Sequence, residues 1–479
     1  MRREHDGSAS TTSIWVVITV NMLRDIFEKT NEYNSLQTAE SKKKKGQYFT
    51  GLRTAEFMAD MAIVKQNTEL HILDPGAGNG VLGLSVMQRA IEEGCTQCTV
   101  TFYENDNECI NLLNQSIELA KRFCLEKGVT VDFVLKAENF ILSDDDKKYD
   151  IVISNPPYKK LRKDSNESKK MAEYVYGQPN LYALFMAKGM EMLKENGRFV
   201  YIVPRSWTSG AYYKNIRKVL ISELDIDQIH IFGSRNDAFS AESVLQETMI
   251  ISGTKSKGQR EDITITSSTT GDMEVVSSLS VESDACIGMT EDSYIMIPAT
   301  EHEADVLKDM SANKSTLGKQ GYRFCTGPVV EFRNTDTISI EPKDDYVPML
   351  RSAHVTEGTF RFPVDVRKAQ YVDRRNKKVV LRNSPTILIR RISAKEETRR
   401  LQMCIYTPDM INVDSDMISI ENHVNYLTHS DGTALTINEV NRVFQILSQR
   451  KYDEYYRILN GSTQVNASEL NLLPVPFNL

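Results

Sequence analysis

The 479-residue chain is read as an α/β protein: a Rossmann-like, mostly parallel sheet with helices on both faces, followed by a C-terminal mixed α+β domain. Three observations carry that reading. Short apolar runs of strand length recur through the first half with helix-like stretches between them, and each run ends in a polar residue. A glycine-rich turn follows the first run. From about residue 300 the nucleotide-binding signals stop, and at this length two domains are the expectation.

The elements follow in order. Met22-Leu23-Arg24-Asp25-Ile26-Phe27 opens an amphipathic helix-like segment, and residues 1–21 read as an upstream extension. Their apolar run, Ile14 to Val20, is too short to span a bilayer, which needs roughly twenty residues. No small-residue cleavage site follows it, so the chain is expected in the cytoplasm. Leu70-His71-Ile72-Leu73-Asp74 is a strand ending in an acid. Pro75-Gly76-Ala77-Gly78-Asn79-Gly80 then forms the turn where glycine lets a backbone approach a ligand closely. A helix follows, with Val81, Leu82, Leu84, Val86 and Met87 as its apolar positions. Val100-Thr101-Phe102-Tyr103-Glu104 is the second strand, and a carboxylate at its end can accept ribose hydroxyls. Asp132–Leu135 and Tyr149–Ser154 are the third and fourth.

In a parallel sheet, ligands lie at the carboxyl ends of the strands. Asp74, Glu104, Glu138 or Asn139, and Asn155 all fall there. The glycine spacing departs from G-x-G-x-x-G, and hydride transfer has no use for the motif after the fourth strand, which argues against a dinucleotide enzyme.

That motif is Asn155-Pro156-Pro157-Tyr158. Its chemistry suits methylation of a planar, poorly nucleophilic nitrogen. The Asn155 side-chain oxygen and the Pro156 carbonyl, held by fixed proline φ angles, could grip two N–H bonds of an exocyclic amine. Tyr158 offers a flat face for a base.

Composition sets the limits. Hydrophobic residues are 41%, charged residues 26% and the formal net charge is −7, as in ordinary soluble proteins and without an overall basic coat. Seven cysteines are scattered. Cys95 and Cys98 lack a second pair at zinc spacing, so free thiols and no metal are expected.

From about 46 to 252 the chain resembles the S-adenosylmethionine-dependent DNA adenine-N6 methyltransferases of the TaqI type. Gly46-Gln47-Tyr48-Phe49-Thr50 is similar to that family's first motif, Asp74–Gly80 to its glycine motif, and Asn155–Tyr158 to its catalytic loop. Asn180-Leu181-Tyr182 and Gly197–Pro204 are similar to its downstream helix and strand. The resemblance implies S-adenosylmethionine as cofactor, held by Tyr48, Thr50, Asp74, Gly76, Gly78, Glu104, Asn155 and either Glu138 or Asn139. The family often has Asp-Phe at the last place, where this chain reads Glu138-Asn139-Phe140. It also implies a base flipped between Tyr158 and a second aromatic, which Phe239 would supply.

Basic residues cluster in two places. Lys159 and Lys160 open a basic segment directly after the catalytic loop, where phosphate contact is expected. Residues 361–400 hold thirteen Lys or Arg against four acids, among them Arg374 and Arg375, the expected footprint of a nucleic-acid face. The stretch 461–476 resembles the end of target-recognition domains, and the tail from Pro328 looks like PstI-type adenine methyltransferases, implying a palindromic six-base target. The expected layout is an extension and helix to 45, a methyltransferase domain at 46–252, a connection at 253–299 with one strand at Ile263-Thr264-Ile265, and a reader of double-stranded DNA at 300–479. A separate cognate restriction endonuclease is a possible partner. Alternatives are a methyltransferase of RNA or protein glutamine, a fused restriction enzyme, and a non-catalytic DNA-binding subunit.

Overall fold

A computed structural model describes residues 21–36, 49–63, 69–232, 248–256, 262–268, 273–287, 294–313, 315–356, 358–365, 367–394, 397–460 and 463–477. Two compact units emerge: Met1–Phe140 with Ile153–Asn155, and Ile141–Val152 with Pro156–Leu479.

In the first unit, strands β1 (Glu69–Pro75), β2 (Gln97–Tyr103) and β3 (Thr130–Lys136) run parallel in the order β3-β2-β1. Helices α1 (Met22–Leu36) and α2 (Leu52–Ala62) precede them, while α3 (Val81–Glu92) and α4 (Asn107–Lys127) link them. Local chemistry places the helix ends. Gly80 enters α3 at φ 79°, a left-handed conformation that glycine adopts without strain. The Asp106 side chain accepts from the Glu108 and Cys109 N–H groups to start α4, and Gly128 at φ 66° ends it. Apolar residues of β1 and β2 fill the interior, with Ile72, Leu73, Val100 and Phe102 closed to solvent. A fourth strand, β4 (Tyr149–Ser154), contributes its last residues to this unit. All four strands stand where the apolar runs placed them.

The second unit begins with β5 (Leu193–Pro204), β6 (Leu224–Phe232), β7 (Thr248–Lys255), β8 (Ile263–Ser268) and β9 (Val275–Val281), in the order β5-β7-β6-β8-β9. β6 and β8 are parallel, and the other neighbours are antiparallel. The segment 253–299, expected to be a connection with one strand at Ile263-Thr264-Ile265, thus holds two full strands of the sheet. Its Ser and Thr content reads as loop, but Thr is β-branched and suits a pleated surface. Ile263 and Ile265 are buried, with Thr264 between them only half-buried.

Beyond residue 294, β11 (Tyr322–Thr326), β21 (Val424–His429), β18 (Thr386–Arg390) and β19 (Met403–Tyr406) form one sheet in that order. A second comprises β12 (Ile338–Ser339), β16 (Tyr371–Asp373), β13 (Tyr346–Leu350), β20 (Met417–Ile420) and β17 (Val380–Arg382). Short pairs join β10 (Ser315–Thr316) to β22 (Pro474–Val475) and β14 (Val355–Thr356) to β15 (Thr359–Phe360). One face of the first sheet, through Phe324, Ile387 and Leu427, packs on the helices Glu301–Ser311, Ile437–Leu447 and Arg450–Leu459. Its other face, through Leu388, Cys404 and Tyr406, packs on Leu350, Ile418 and Ile420 of the second sheet. This is a two-sheet core with helices on one side, as an α+β layout requires.

Candidate active site

The carboxyl ends of β1, β2 and β4 are tied together. The N–H groups of Gly76 and Ala77 both donate to the Tyr103 carbonyl at 2.9 Å. The Ser154 hydroxyl donates to the Pro75 carbonyl at 2.7 Å. Asn155, one residue on, donates from Nδ2 to Thr50 Oγ1 at 3.1 Å. Gly76, Gly78 and Gly80 all have positive φ, so the loop that carries them turns tightly at each. A Cβ on Gly78 would come within 3.2 Å of the Phe49 ring, which lies against the loop.

Two carboxylates serve this loop. Glu104, almost closed to solvent, accepts from Gly78 N–H through Oε2 at 2.8 Å and from Asn105 and Asp106 N–H through Oε1. Each carboxylate oxygen has about two acceptor sites, so Oε2 keeps capacity for one more donor. Asp74 is fully buried. Its Oδ2 accepts from Gly83 N–H at 2.9 Å, while Oδ1 has no hydrogen-bond partner among the described residues. Burial pushes the Asp74 carboxyl up to about 8; the Gly83 bond opposes this, and the Glu104 charge adds to it. A buried acceptor without a donor is uncommon and calls for an explanation. A cationic ligand at this strand end would provide one.

Thr50, Asp74, Gly76, Gly78, Glu104 and Asn155 therefore share one connected framework. Glu138 and Asn139 sit in the turn after β3; Glu138 is exposed and Asn139 half-buried. Tyr48 and Phe239 lie outside the described residues.

In the second unit, the Tyr158 hydroxyl donates to the Ile202 carbonyl at 3.1 Å, and its ring meets Tyr182 edge-on with centroids 6.0 Å apart. Burial raises the ionisation of that hydroxyl well above its ordinary range. Lys159 and Lys160 follow, both exposed, and the Lys159 carbonyl accepts from Leu181 N–H.

The basic stretch 361–400 divides by partner. Arg375 forks onto Asp373, at 2.6 Å from Nη2, and this contact holds the Asp373 carboxyl down to about 2. Arg374 reaches Asp416 at 3.4 Å. Arg400 is buried and donates to the Ser393 carbonyl, and Arg391 donates to the Asn422 carbonyl. Part of the local excess of positive charge thus serves turns and strand ends.

Some site residues carry no local signal. Asn79 donates to the Thr30 hydroxyl of α1 at 2.7 Å and accepts from Val81 N–H at 3.1 Å, which links α1 to the entry of α3. Only the Asn next to a glycine turn hinted at it; Thr30 is forty-nine residues distant. Among the described residues no group of acids, His and Cys is placed to hold a metal ion, and no helix is long and apolar enough to cross a membrane.

Comparison with known proteins extends this picture. Residues 79–239 match the family model of the Eco57I restriction-modification methylase. The chain is 31% identical over 471 residues to the type II methyltransferase M.PstI of Providencia stuartii, covering 96% of this chain and 92% of that one. It is 28% identical over 448 residues to the type II methyltransferase M.BsuBI of Bacillus subtilis, covering 91% and 88%. Among solved structures, a nuclease-deletion mutant of the type ISP restriction-modification enzyme LlaGI superposes with a TM-score of 0.52 at 11% identity, over 91% of this chain and 46% of that one. That last likeness is one of fold.

Proposed function

We propose that the chain, which belongs to the type II methyltransferases of restriction-modification systems, moves a methyl group from S-adenosylmethionine to N6 of an adenine in double-stranded DNA. The observation that carries this reading is the pair of bonds Ser154 to Pro75 and Asn155 to Thr50. They lock the start of the Asn-Pro-Pro-Tyr loop to the start of the glycine turn and to Thr50.

The residues present fit the cofactor. The unpartnered Oδ1 of Asp74 suits the ammonium of its methionine part, and the remaining site on Glu104 Oε2 suits a ribose hydroxyl. Tyr48, Gly76, Gly78 and one of Glu138 and Asn139 complete the proposed cofactor contacts. When bound, the cofactor supplies an electrophilic methyl group.

The chain's own residues do the rest. An adenine amine shares its lone pair with the ring and is a poor nucleophile. The Asn155–Thr50 bond assigns the amide nitrogen to Thr50, so that the amine meets the acceptor end of Asn155. The Pro156 carbonyl, fixed by its ring, is the second acceptor. Two acceptors on the two N–H bonds favour a tetrahedral nitrogen with a localised lone pair. Tyr158 stacks on the base, with Phe239 on its other side. No covalent enzyme intermediate is needed; positioning and electrostatics supply the rate. The adenine must leave the helix to be reached.

Residues 300–479 read the target, with Lys159, Lys160, Arg374 and Arg375 on phosphates, and a separate nuclease cleaves unmodified sites in the cytoplasm. Modification-sensitive sequencing of genomic DNA from an expressing host tests the whole reading. N6-methyladenine in one short sequence context is expected; the absence of any new modified base, or a modified cytosine, would sink it.

A further inference from the structure

A cavity unrelated to the glycine turn opens in the C-terminal region, at the mouth between its two sheets. It holds about 290 Å³, near the lower end of small-ligand sites, roughly 300–1,000 Å³. Strand alternation builds one wall. On β11, Tyr322 and Phe324 turn into the helix-backed core, while Arg323 and Cys325 line the cavity. Tyr426 is paired with Cys325 on the neighbouring strand and presents its ring there. The second sheet closes the opposite side with Leu381 and Ile418, and Arg382 stands at its rim.

The polar chemistry is one-sided. Arg323 and Arg382 are exposed, and neither makes an ion pair with a described residue. Among the described residues no Asp or Glu lines the cavity, and the lining His429 is engaged with Glu439 at 3.2 Å. Two unpaired guanidinium groups at a rim match a phosphate. A phosphate alone would leave the apolar floor and the tyrosine face without a role. A planar base fills such a floor and stacks on such a ring.

We propose that this mouth is a nucleotide-binding site, holding a base against Tyr426, Leu381 and Ile418 and its phosphate on Arg323 and Arg382. The nucleotide is either a second unit everted from the DNA, a source that rests on DNA being the substrate, or a free mononucleotide.

Cys325 is the built-in reporter, because the other six of the seven thiols are buried. Full-length protein is treated with N-ethylmaleimide, and labelling at Cys325 is followed by mass spectrometry. Deoxyadenosine or thymidine monophosphate, or a cognate duplex, should slow the labelling about tenfold. Inorganic phosphate should not. Arg323→Ala and Arg382→Ala should label normally but lose the protection. Equal protection by phosphate alone, or none by nucleotide or duplex, would overturn the proposal. The sources separate in a second arm, with 2-aminopurine placed at each position of the methylated sequence. A second position that brightens, and goes dark with Arg323→Ala, identifies everted DNA; protection by mononucleotide alone identifies the free ligand. Methylation is scored in the same samples. Methylation without protection faults the cavity, whereas protection without methylation faults the adenine reading.

Discussion

Buried ionisable groups are handled in opposite ways at two places in the molecule, the Arg351–Glu421 pair and Asp74. In the C-terminal region, Arg351 and Glu421 are both almost closed to solvent and meet at 3.1 Å. Glu421 also accepts from the Ser352 N–H and hydroxyl, and Arg351 reaches Glu331 at 2.7 Å and the Ala369 carbonyl. No polar side-chain atom of that pair is left without a partner. In the glycine-turn region, Asp74 is just as buried but keeps one oxygen unpartnered among the described residues. A satisfied buried network holds a fold in place. An unmet buried acceptor costs about 1–3 kcal/mol, and at a strand end it leaves room for a donor from a ligand.

The contrast can be broken most forcefully at Glu421. Glu421→Ala takes one of two carboxylates from Arg351, leaving Glu331, and strips the Ser352 N–H and hydroxyl of their acceptor, and should lower stability by about 1–3 kcal/mol in urea titration. A loss within experimental error would mean the network is idle. In the other region the largest effect should be on turnover, not on folding. Asn155→Ala should cut methyl transfer by about 10²–10³-fold, as removal of one oriented polar group in a transition state does. Calorimetric affinity for S-adenosylmethionine should stay close to that of the unaltered chain, and near-normal turnover would refute the role of Asn155.

Glu104→Ala sharpens the comparison, because that carboxylate serves both loop and ligand. Cofactor affinity should weaken by roughly 1.5–3 kcal/mol for each charged bond removed, and unchanged affinity would count against the ribose role. A subtler signature belongs to Asp74. Its carboxyl is raised from 3.8 to about 8, so it is mostly protonated at pH 7 in the free protein. The stability this group contributes is fully present below about pH 4 and is lost as pH rises through about 8. A bound cation favours the ionised form, so cofactor binding at pH 7 should expel a proton. Calorimetry in buffers of different ionisation enthalpy should detect that release, and Asp74→Asn should abolish it. The smallest effect is expected where charges are already paired at the surface. Reversing Arg374 and Arg375 should weaken binding to all duplexes alike, with a salt slope flatter by roughly one for each phosphate no longer neutralised. An unchanged slope would leave both arginines to their partners Asp416 and Asp373.

Much of the first region was legible because its signals are local. Strand, glycine turn and helix succeed each other within a few residues, and the four strand ends with Asp74, Glu104 and Asn155 fall where the apolar runs stop. Of the two strands in 253–299, β8 shows in the sequence through Ile263-Thr264-Ile265, while β9 does not, because its serines suit loops and edge strands equally. The partners of Arg374 and Arg391 were not legible, since Asp416 and Asn422 lie far along the chain. Arg375 and Asp373 stand two residues apart, but only the turn between them brings the fork onto the carboxylate. The missing partner of Asp74 belongs to three-dimensional packing alone.

The bond between Thr30 and Asn79 has an evolutionary consequence. Asn79 sets the entry of α3 and depends on a hydroxyl from a helix far upstream, so neither position can drift alone. Loss of the hydroxyl at 30 leaves a buried amide wanting an acceptor; loss of the amide leaves the hydroxyl without its donor. Descendants of this chain should therefore exchange the two positions together, or keep both.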